Sequence, residues 1–272
     1  MSAFKQTLKE KLPPGVVQVL KDVYDAGGRL KTWPSAAFHP QRRESIRKLE
    51  ALKDLHQGER CFIIGNGPSL RNTDLSKLRC ETTIGMNRFF LAFPEMGFET
   101  SYFLSVNDLV IEQSRDELMA LKMPCFFGWR AHQWLQMKEN IQFLYTSYTG
   151  PKFSKNVSGR VWEGGTVTYV ALQLAYHLGF KTVILIGVDH NYGSQTGAPN
   201  STVTSQGDDP HHFHPGYFGK GFRWQLPDLV AWEDAYRLAR KTYEEDGREV
   251  LDATVGGKLT VFRKVDYNNL FS

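Results

Sequence analysis

The run Cys61-Phe62-Ile63-Ile64, followed at once by Gly65-Asn66-Gly67-Pro68-Ser69-Leu70, constrains the fold more than any other stretch. It reads as a buried strand that feeds a ligand loop. Gly65 and Gly67 can adopt positive φ and admit a ligand to the backbone, and Pro68 suits the first position of a helix whose exposed amides attract an anion. A phosphate-bearing ligand is the expected guest, cradled by Gly65, Asn66, Gly67, Pro68 and Ser69. A tight strand-to-helix connection without a ligand would use the same residues, so the rest of the chain has to decide.

What the loop lacks narrows the guest. Leu70 occupies the position of the third glycine in a dinucleotide fingerprint, and no Gly-Lys-Ser/Thr follows to make a Walker loop. After the next strand-like run, Thr82-Thr83-Ile84-Gly85-Met86, stands Asn87 rather than the acid that would hold a nicotinamide ribose. Hydride transfer is therefore disfavoured.

The chain is 41% hydrophobic and 23% charged over 272 residues, which suits one α/β domain with an appendage. A formal charge of +4, scattered along the chain, does not indicate nucleic acid and modestly favours an anionic substrate or lipid surface. Cys61, Cys80 and Cys125 show no metal spacing, and neither a signal peptide nor a long apolar span is present. A cytoplasmic protein without a metal site is expected, peripheral at the inner face of a membrane if it meets one.

Residues 1–57 read as an N-terminal helical appendage and residues 58–272 as the catalytic domain. Leu12-Pro13-Pro14-Gly15, Ala26-Gly27-Gly28 and Pro34 are expected to break the first segment. Between them Val16-Val17-Gln18-Val19-Leu20-Lys21-Asp22-Val23-Tyr24 forms an amphipathic helix. Packing against the domain's own core is the preferred role for it; a membrane surface or a partner subunit, such as a second copy in a homo-oligomer, is the other. A second helix, from Pro40 to Leu55, carries Ile46, Leu49, Leu52 and Leu55 at helical spacing.

Strands are predicted at Ser101-Tyr102-Phe103-Leu104-Ser105-Val106, Cys125-Phe126-Phe127, Ile141-Gln142-Phe143-Leu144-Tyr145, Lys181-Thr182-Val183-Ile184-Leu185-Ile186-Gly187 and Glu249-Val250-Leu251. Thr73 or Asp74 can cap a short helix. Further helices are expected through Leu109, Ile111, Leu118 and Leu121, from Gly164-Gly165-Thr166 to a C-cap at Gly179, and from Pro227 to Glu245. Strand and helix alternate, which argues a Rossmann-like, mostly parallel sheet with helices on both faces.

Asn66, Asn87, Asn107 and Asp189 each stand just past the C-terminal end of a predicted strand, the edge where open α/β sheets bind ligands. Asn and Asp also favour turns for their own sake, so the weight lies in four of them sharing one layer. Amides and a carboxylate suit hydrogen bonding to a base, a ribose and a sugar. The loop Asp208-Asp209-Pro210-His211-His212-Phe213-His214-Pro215-Gly216-Tyr217 concentrates histidines suited to general acid/base work. No cysteine is near and the histidines lack helical ligand spacing, which disfavours zinc there.

The series G-N-G-P-S-L, Asn87, Asn107, G-G-T-V before a helix, G-V-D-x-x-Y and a histidine-rich loop resembles the bacterial CMP-sialic-acid sialyltransferases and the related motility-accessory flagellin glycosyltransferases. The likeness covers about residues 60–252. It implies that Asn66, Asn87 and Asn107 hold the cytidine nucleotide and donor sugar. Tyr192 would contact the phosphate, one residue further from Asp189 than the family tyrosine stands. His212 or His214 would act as general base, and a hydroxyl from Thr166 or Thr168, beside Gly165, would complete the substrate site with Asp189 and Tyr217. The implied partners are a CMP-linked sugar donor, plausibly a nonulosonic acid, and a glycan or lipid-linked acceptor, with no cofactor.

The same core also resembles the 6-hydroxymethylpterin diphosphokinase MptE-like superfamily. That likeness implies ATP and Mg²⁺, held by an acidic strand end. Here Ser105-Val106-Asn107-Asp108 offers one acid, which leaves two phosphates and Mg²⁺ short of carboxylate. A nucleotide-binding protein without catalysis is the reading from a third class.

Overall fold

The computed structural model describes residues 14–148, 150, 152–191 and 197–271. Nine parallel strands form one sheet: β1 (Arg60–Ile64), β2 (Thr83–Met86), β3 (Tyr102–Ser105), β4 (Cys125–Gly128), β5 (Ile141–Ser147), β6 (Arg160–Trp162), β7 (Thr182–Ile186), β10 (Glu249–Asp252) and β11 (Arg263–Lys264). Two short strands, β8 (Thr202–Thr204) and β9 (Arg223–Gln225), pair antiparallel outside it. The helices are α1 (Pro14–Phe38), α2 (Pro40–Leu52), α3 (Phe93–Met96), α4 (Asp108–Gln113), α5 (Arg115–Ala120), α6 (Val167–Leu178) and α7 (Leu229–Glu245).

The uninterrupted apolar runs follow from burial on both faces. Cys61 and Ile63 belong to a core shared with α6 and α7, whereas Phe62 and Ile64 join a second core with Phe89, Ile111 and Phe127 on the other side of the sheet. Val183 and Leu185 against Ile184 and Ile186 repeat the division in β7. This is the expected doubly covered, Rossmann-like sheet.

Strand order across the sheet is β11-β10-β7-β1-β2-β3-β4-β5-β6. The chain therefore steps outward from β1 to β6 and returns beside β1 as β7. Between β1 and β7 the direction of progress reverses, and the crevice beyond their C-terminal ends is the topological switch point where such sheets take ligands. Both the glycine loop and Asp189 emerge there.

The N-terminal helices attach unequally. α2 is joined to the sheet: Leu49 lies in the core, Ser45 Oγ accepts from the Phe143 amide at 2.9 Å, and the buried Arg42 donates to the carbonyls of Ser158 and Gly159 at 2.6 and 3.0 Å. Burial without a carboxylate partner lowers the Arg42 guanidinium to about 10. α1 departs from expectation twice. It runs unbroken through Gly27, Gly28 and Pro34; interior glycines cost roughly 1 kcal/mol each against alanine without forbidding a helix. Nor do the described members of its apolar stripe pack on the core: Val16, Val19, Leu20, Val23 and Leu30 are exposed, whereas in its last turns Ala36 is buried and Ser35 Oγ accepts from Trp129 Nε1.

Other differences are local. Pro68 opens a 3₁₀ turn, Pro68–Asn72, not an α-helix. Ser114 divides the helix expected through Leu109 and Leu121 into α4 and α5. The segment read as one loop before α7 contains the β8–β9 hairpin, held by three residues a side. Asp74, Thr166, Asp228 and Gly179 cap their helices, and no helix among the described residues is long and apolar enough to cross a membrane.

Candidate active site

At the switch point the glycine loop is zipped to the end of β7. The Gly65 amide donates to Ile186 O at 2.7 Å, Gly67 N to Gly187 O at 2.8 Å, and Ser69 gives both its amide and its hydroxyl to Asp189, at 3.0 and 2.7 Å. Neither Gly65 nor Gly67 takes a positive φ, contrary to expectation. They are glycine because of proximity. A Cβ at Gly65 would stand 2.2 Å from Gly187 O, and one at Gly67 1.8 Å from Asp189 Oδ2. Asp189 is thus a clamp on the loop; burial raises its carboxyl, and the Ser69 hydrogen bonds oppose that rise.

A cavity of about 750 Å³ opens over this junction. Gly65, Asn66, Gly67, Asn87 and Asn107 line it from the ends of β1, β2 and β3, and Asp189 from that of β7. Gly165, Thr166 and Thr168 line it from the start of α6, His212 and Tyr217 from the histidine loop. Pro68, Ser69 and His214 are not in its wall, and Tyr192 lies outside the described residues.

The three asparagines are not equivalent. Asn66 Oδ1 is buried with no partner, the condition of a group whose partner is a ligand. Asn87, at φ 55°, accepts from Ser105 Oγ at 3.0 Å and bonds the Tyr217 hydroxyl. Asn107 Oδ1 caps α4, accepting from the amides of Leu109 and Val110 at 3.0 and 3.3 Å, so its NH₂ is the part left to a ligand.

The histidine loop is pinned over the cavity by backbone. Phe213 N donates to Asn66 O at 2.9 Å; Arg71 holds the carbonyls of His212 and Phe213 at 2.8 Å each; Arg88 holds those of Gly216 and Tyr217. Inside it, Asp209 Oδ2 lies 2.6 Å from His212 Nδ1 and also accepts from the Phe218 amide, while Oδ1 takes the His211 amide. Burial alone would raise the Asp209 carboxyl, yet the hydrogen bond and charge of His212 and the two amides take it below its usual value. The carboxylate holds the Nδ1 side of the imidazole and so orients the ring. The ring stacks on Tyr217 at 4.0 Å, which fixes its plane. His214 instead spends Nδ1 on the Gly216 amide at 3.1 Å.

Three features of the wall escape sequence reasoning. His190 is 3.1 Å from Glu233 across the cavity's edge. Glu163, raised by burial against the opposing pull of Arg130, shares that arginine with Asp108. Trp224 reaches the wall from β9, stacked on Phe218 at 5.3 Å. The only sequence cue to them is position: His190 immediately follows Asp189.

The sequence profile of the family described as 6-hydroxymethylpterin diphosphokinase MptE-like matches residues 40–195, more than half of the chain. The chain belongs to the MptE-like family. The matched span runs from α2 past the end of β7, so the MptE-like part of the site comprises the glycine loop, the three asparagines, the start of α6 and Asp189. The histidine loop and α7 lie beyond it. No curated protein matches the chain. Among solved structures it is similar to the MAf glycosyltransferase from Magnetospirillum magneticum AMB-1, with 14% identity and a TM-score of 0.47, over 83% of this chain and 38% of that one. The chain thus spans well under half the length of that protein.

Proposed function

We propose that this MptE-like protein is a glycosyltransferase that passes a sugar, of the nonulosonic type, from a CMP-linked donor to a hydroxyl of a surface-glycan acceptor. The observation that carries the reading is the Asp209–His212 pair, whose histidine lines the same cavity as the strand-end asparagines. A carboxylate-oriented imidazole over a pocket of neutral hydrogen-bonding groups suits deprotonation of an alcohol. The motif resemblance supports the choice of donor.

In the proposed reaction His212 Nε2 takes the acceptor hydroxyl proton as that oxygen attacks the anomeric carbon. The bond from the anomeric carbon to phosphate oxygen breaks in line, and its electron pair leaves with the nucleotide. Asn66 and the Asn107 NH₂ orient the donor, and the positive N-terminal end of α6 faces the developing phosphate charge.

The rival is the diphosphoryl transfer named in the family's description, from ATP-Mg²⁺ to a hydroxymethylpterin. Its metal fits the donor set poorly. Of the carboxylates in the wall, Asp189 is bonded by Ser69, Glu163 by Arg130, Asp228 by the Ala231 amide and Asp234 by Arg237. Among the described residues no group of three His, Cys, Asp or Glu side chains is placed to hold a metal ion. Release of CMP from a CMP-nonulosonic acid, dependent on acceptor and lost in His212→Asn, is the expected result. Formation of AMP from ATP in the presence of 6-hydroxymethyl-dihydropterin would establish the rival instead.

A further inference from the structure

A second histidine–carboxylate pair has its histidine in the cavity wall, and the reaction outlined above gives it no task. His190 sits in the turn after β7 at a φ of 52°, a left-handed conformation uncommon outside glycine. Such strain persists only where the surroundings over-determine it. Here they do. Glu233, in the second turn of α7, lies 3.1 Å from His190 Nε2 through Oε1, while Arg237 holds Oε2 at 2.6 Å. The ring is 6% exposed, with Trp232 and Tyr236 at 6.3 and 6.5 Å between centroids.

With Nε2–H given to Glu233, the remaining nitrogen is Nδ1, on the main-chain side of the ring beside the Gly187 to Asn191 turn that floors the cavity. It is buried and has no hydrogen-bond partner. An orphaned polar atom of this kind carries a desolvation cost that a ligand can recover.

The start of α6 meets the same part of the cavity. Thr166 Oγ1 is 3.5 Å from the Tyr236 hydroxyl, and Thr166, Val167 and Thr168 line the wall. A helix N-terminus carries about half a positive charge and attracts anions. Among the described residues lining the cavity there is no lysine and no arginine. An anionic group in it is met by backbone amides, neutral side-chain donors and imidazole rings, and Glu233 stands behind the His190 ring.

We propose that His190, backed by Glu233, is the phosphoryl contact of this site: its Nδ1–H donates to a phosphate oxygen of the nucleotide lying at the start of α6. The ligand class rests on the donor reading above. The residue assignment rests on the orphaned nitrogen.

NMR of protein carrying isotope-labelled histidine tests it, with the His190 signals identified by their loss in His190→Gln and their displacement in Glu233→Gln. CMP, cytidine, ADP and inorganic phosphate are titrated in parallel. CMP and phosphate should convert Nδ1 from a bare nitrogen to an N–H donor, cytidine should not, and Glu233→Gln should weaken CMP about tenfold or more while sparing cytidine. If ADP or phosphate moves His190 and CMP does not, the CMP reading fails and this assignment stands. If transfer from a CMP donor proceeds while His190 is silent to every probe, the assignment is overturned and the donor reading stands. An equal response to cytidine also overturns it, because the ring would then report occupancy rather than phosphate. Should His190→Gln not fold, the Glu233→Gln displacement alone identifies the signal and the same outcomes apply.

Discussion

The backbone amide of Phe213 donates to the carbonyl of Asn66 at 2.9 Å, and this bond joins the histidine loop to the glycine loop. It places the Asp209–His212 pair over a pocket built by the first three strands. The Oδ1 of Asn66 stays without a partner while its backbone makes the tie. The proposed base and the proposed binding residues therefore share one cavity although they lie far apart in sequence.

The two neighbouring histidines should behave differently. His212→Ala or His212→Asn should lower turnover by about a hundredfold or more while sparing donor affinity, the scale of a lost general base. His214→Ala should remain near wild type, since that ring is engaged with the Gly216 amide outside the cavity wall. Steady-state kinetics on the two variants decides. A dead His214 variant beside an active His212 variant would move the base along the loop.

Asp209 gives a pH dependence with a definite sign. Its carboxyl is held below the usual value in the fold, so the stability it adds is fully present above the unfolded pKa, about 3.9, and is lost as pH falls through the folded one. Melting temperatures of wild type and Asp209→Asn should differ at neutral pH and converge on acidification below that range. A gap that widens toward acid would mean that the carboxylate is not stabilised by His212 and the loop amides.

Gly67 already has backbone angles open to any residue, φ −71° and ψ 159°, so only the crowding by Asp189 and Gly187 opposes a side chain. Gly67→Ala should destabilise by about 1–3 kcal/mol, the usual cost of overpacking. Combining it with Asp189→Gly should recover part of that loss, and chemical denaturation of the four-member cycle measures the coupling. Additive effects would show that Asp189 is not what Gly67 accommodates.

The sheet was legible in the sequence because its central strands are covered on both sides. Runs such as Ile63-Ile64 and Val183-Ile184-Leu185-Ile186 have no polar position to blur them, and Gly179 ends α6 with a conformation that glycine favours. What stayed hidden is short or polar: β6 is three residues, β11 is Arg263-Lys264, and the β8–β9 hairpin is half exposed. In the site, residue type pointed to the asparagines and histidines, but partners such as Asp209 for His212 and Glu233 for His190 are set by tertiary approach. The glycines were picked for a reason that the structure replaces, since a close neighbour and not a positive φ demands them.

Asn66 and Asn107 should separate binding from stability. Asn66→Ala removes an amide with an unpartnered oxygen, so donor affinity should fall with little loss of melting temperature. Asn107→Ala removes the α4 cap as well and should cost roughly 1 kcal/mol in addition, most of it regained in Asn107→Asp. Isothermal titration together with denaturant unfolding checks both, and unchanged donor affinity in Asn66→Ala would remove that residue from the site.

The most direct measurement of the central claim is a thermal-shift panel of CMP, CDP, UDP, GDP and ATP, each with and without Mg²⁺, on wild type and Asn66→Ala. A cavity of neutral strand-end amides with no lysine or arginine in its described wall predicts stabilisation of wild type by the cytidine nucleotides, independent of Mg²⁺ and diminished in the variant. Stabilisation by ATP with Mg²⁺ alone would contradict the account and favour diphosphoryl transfer.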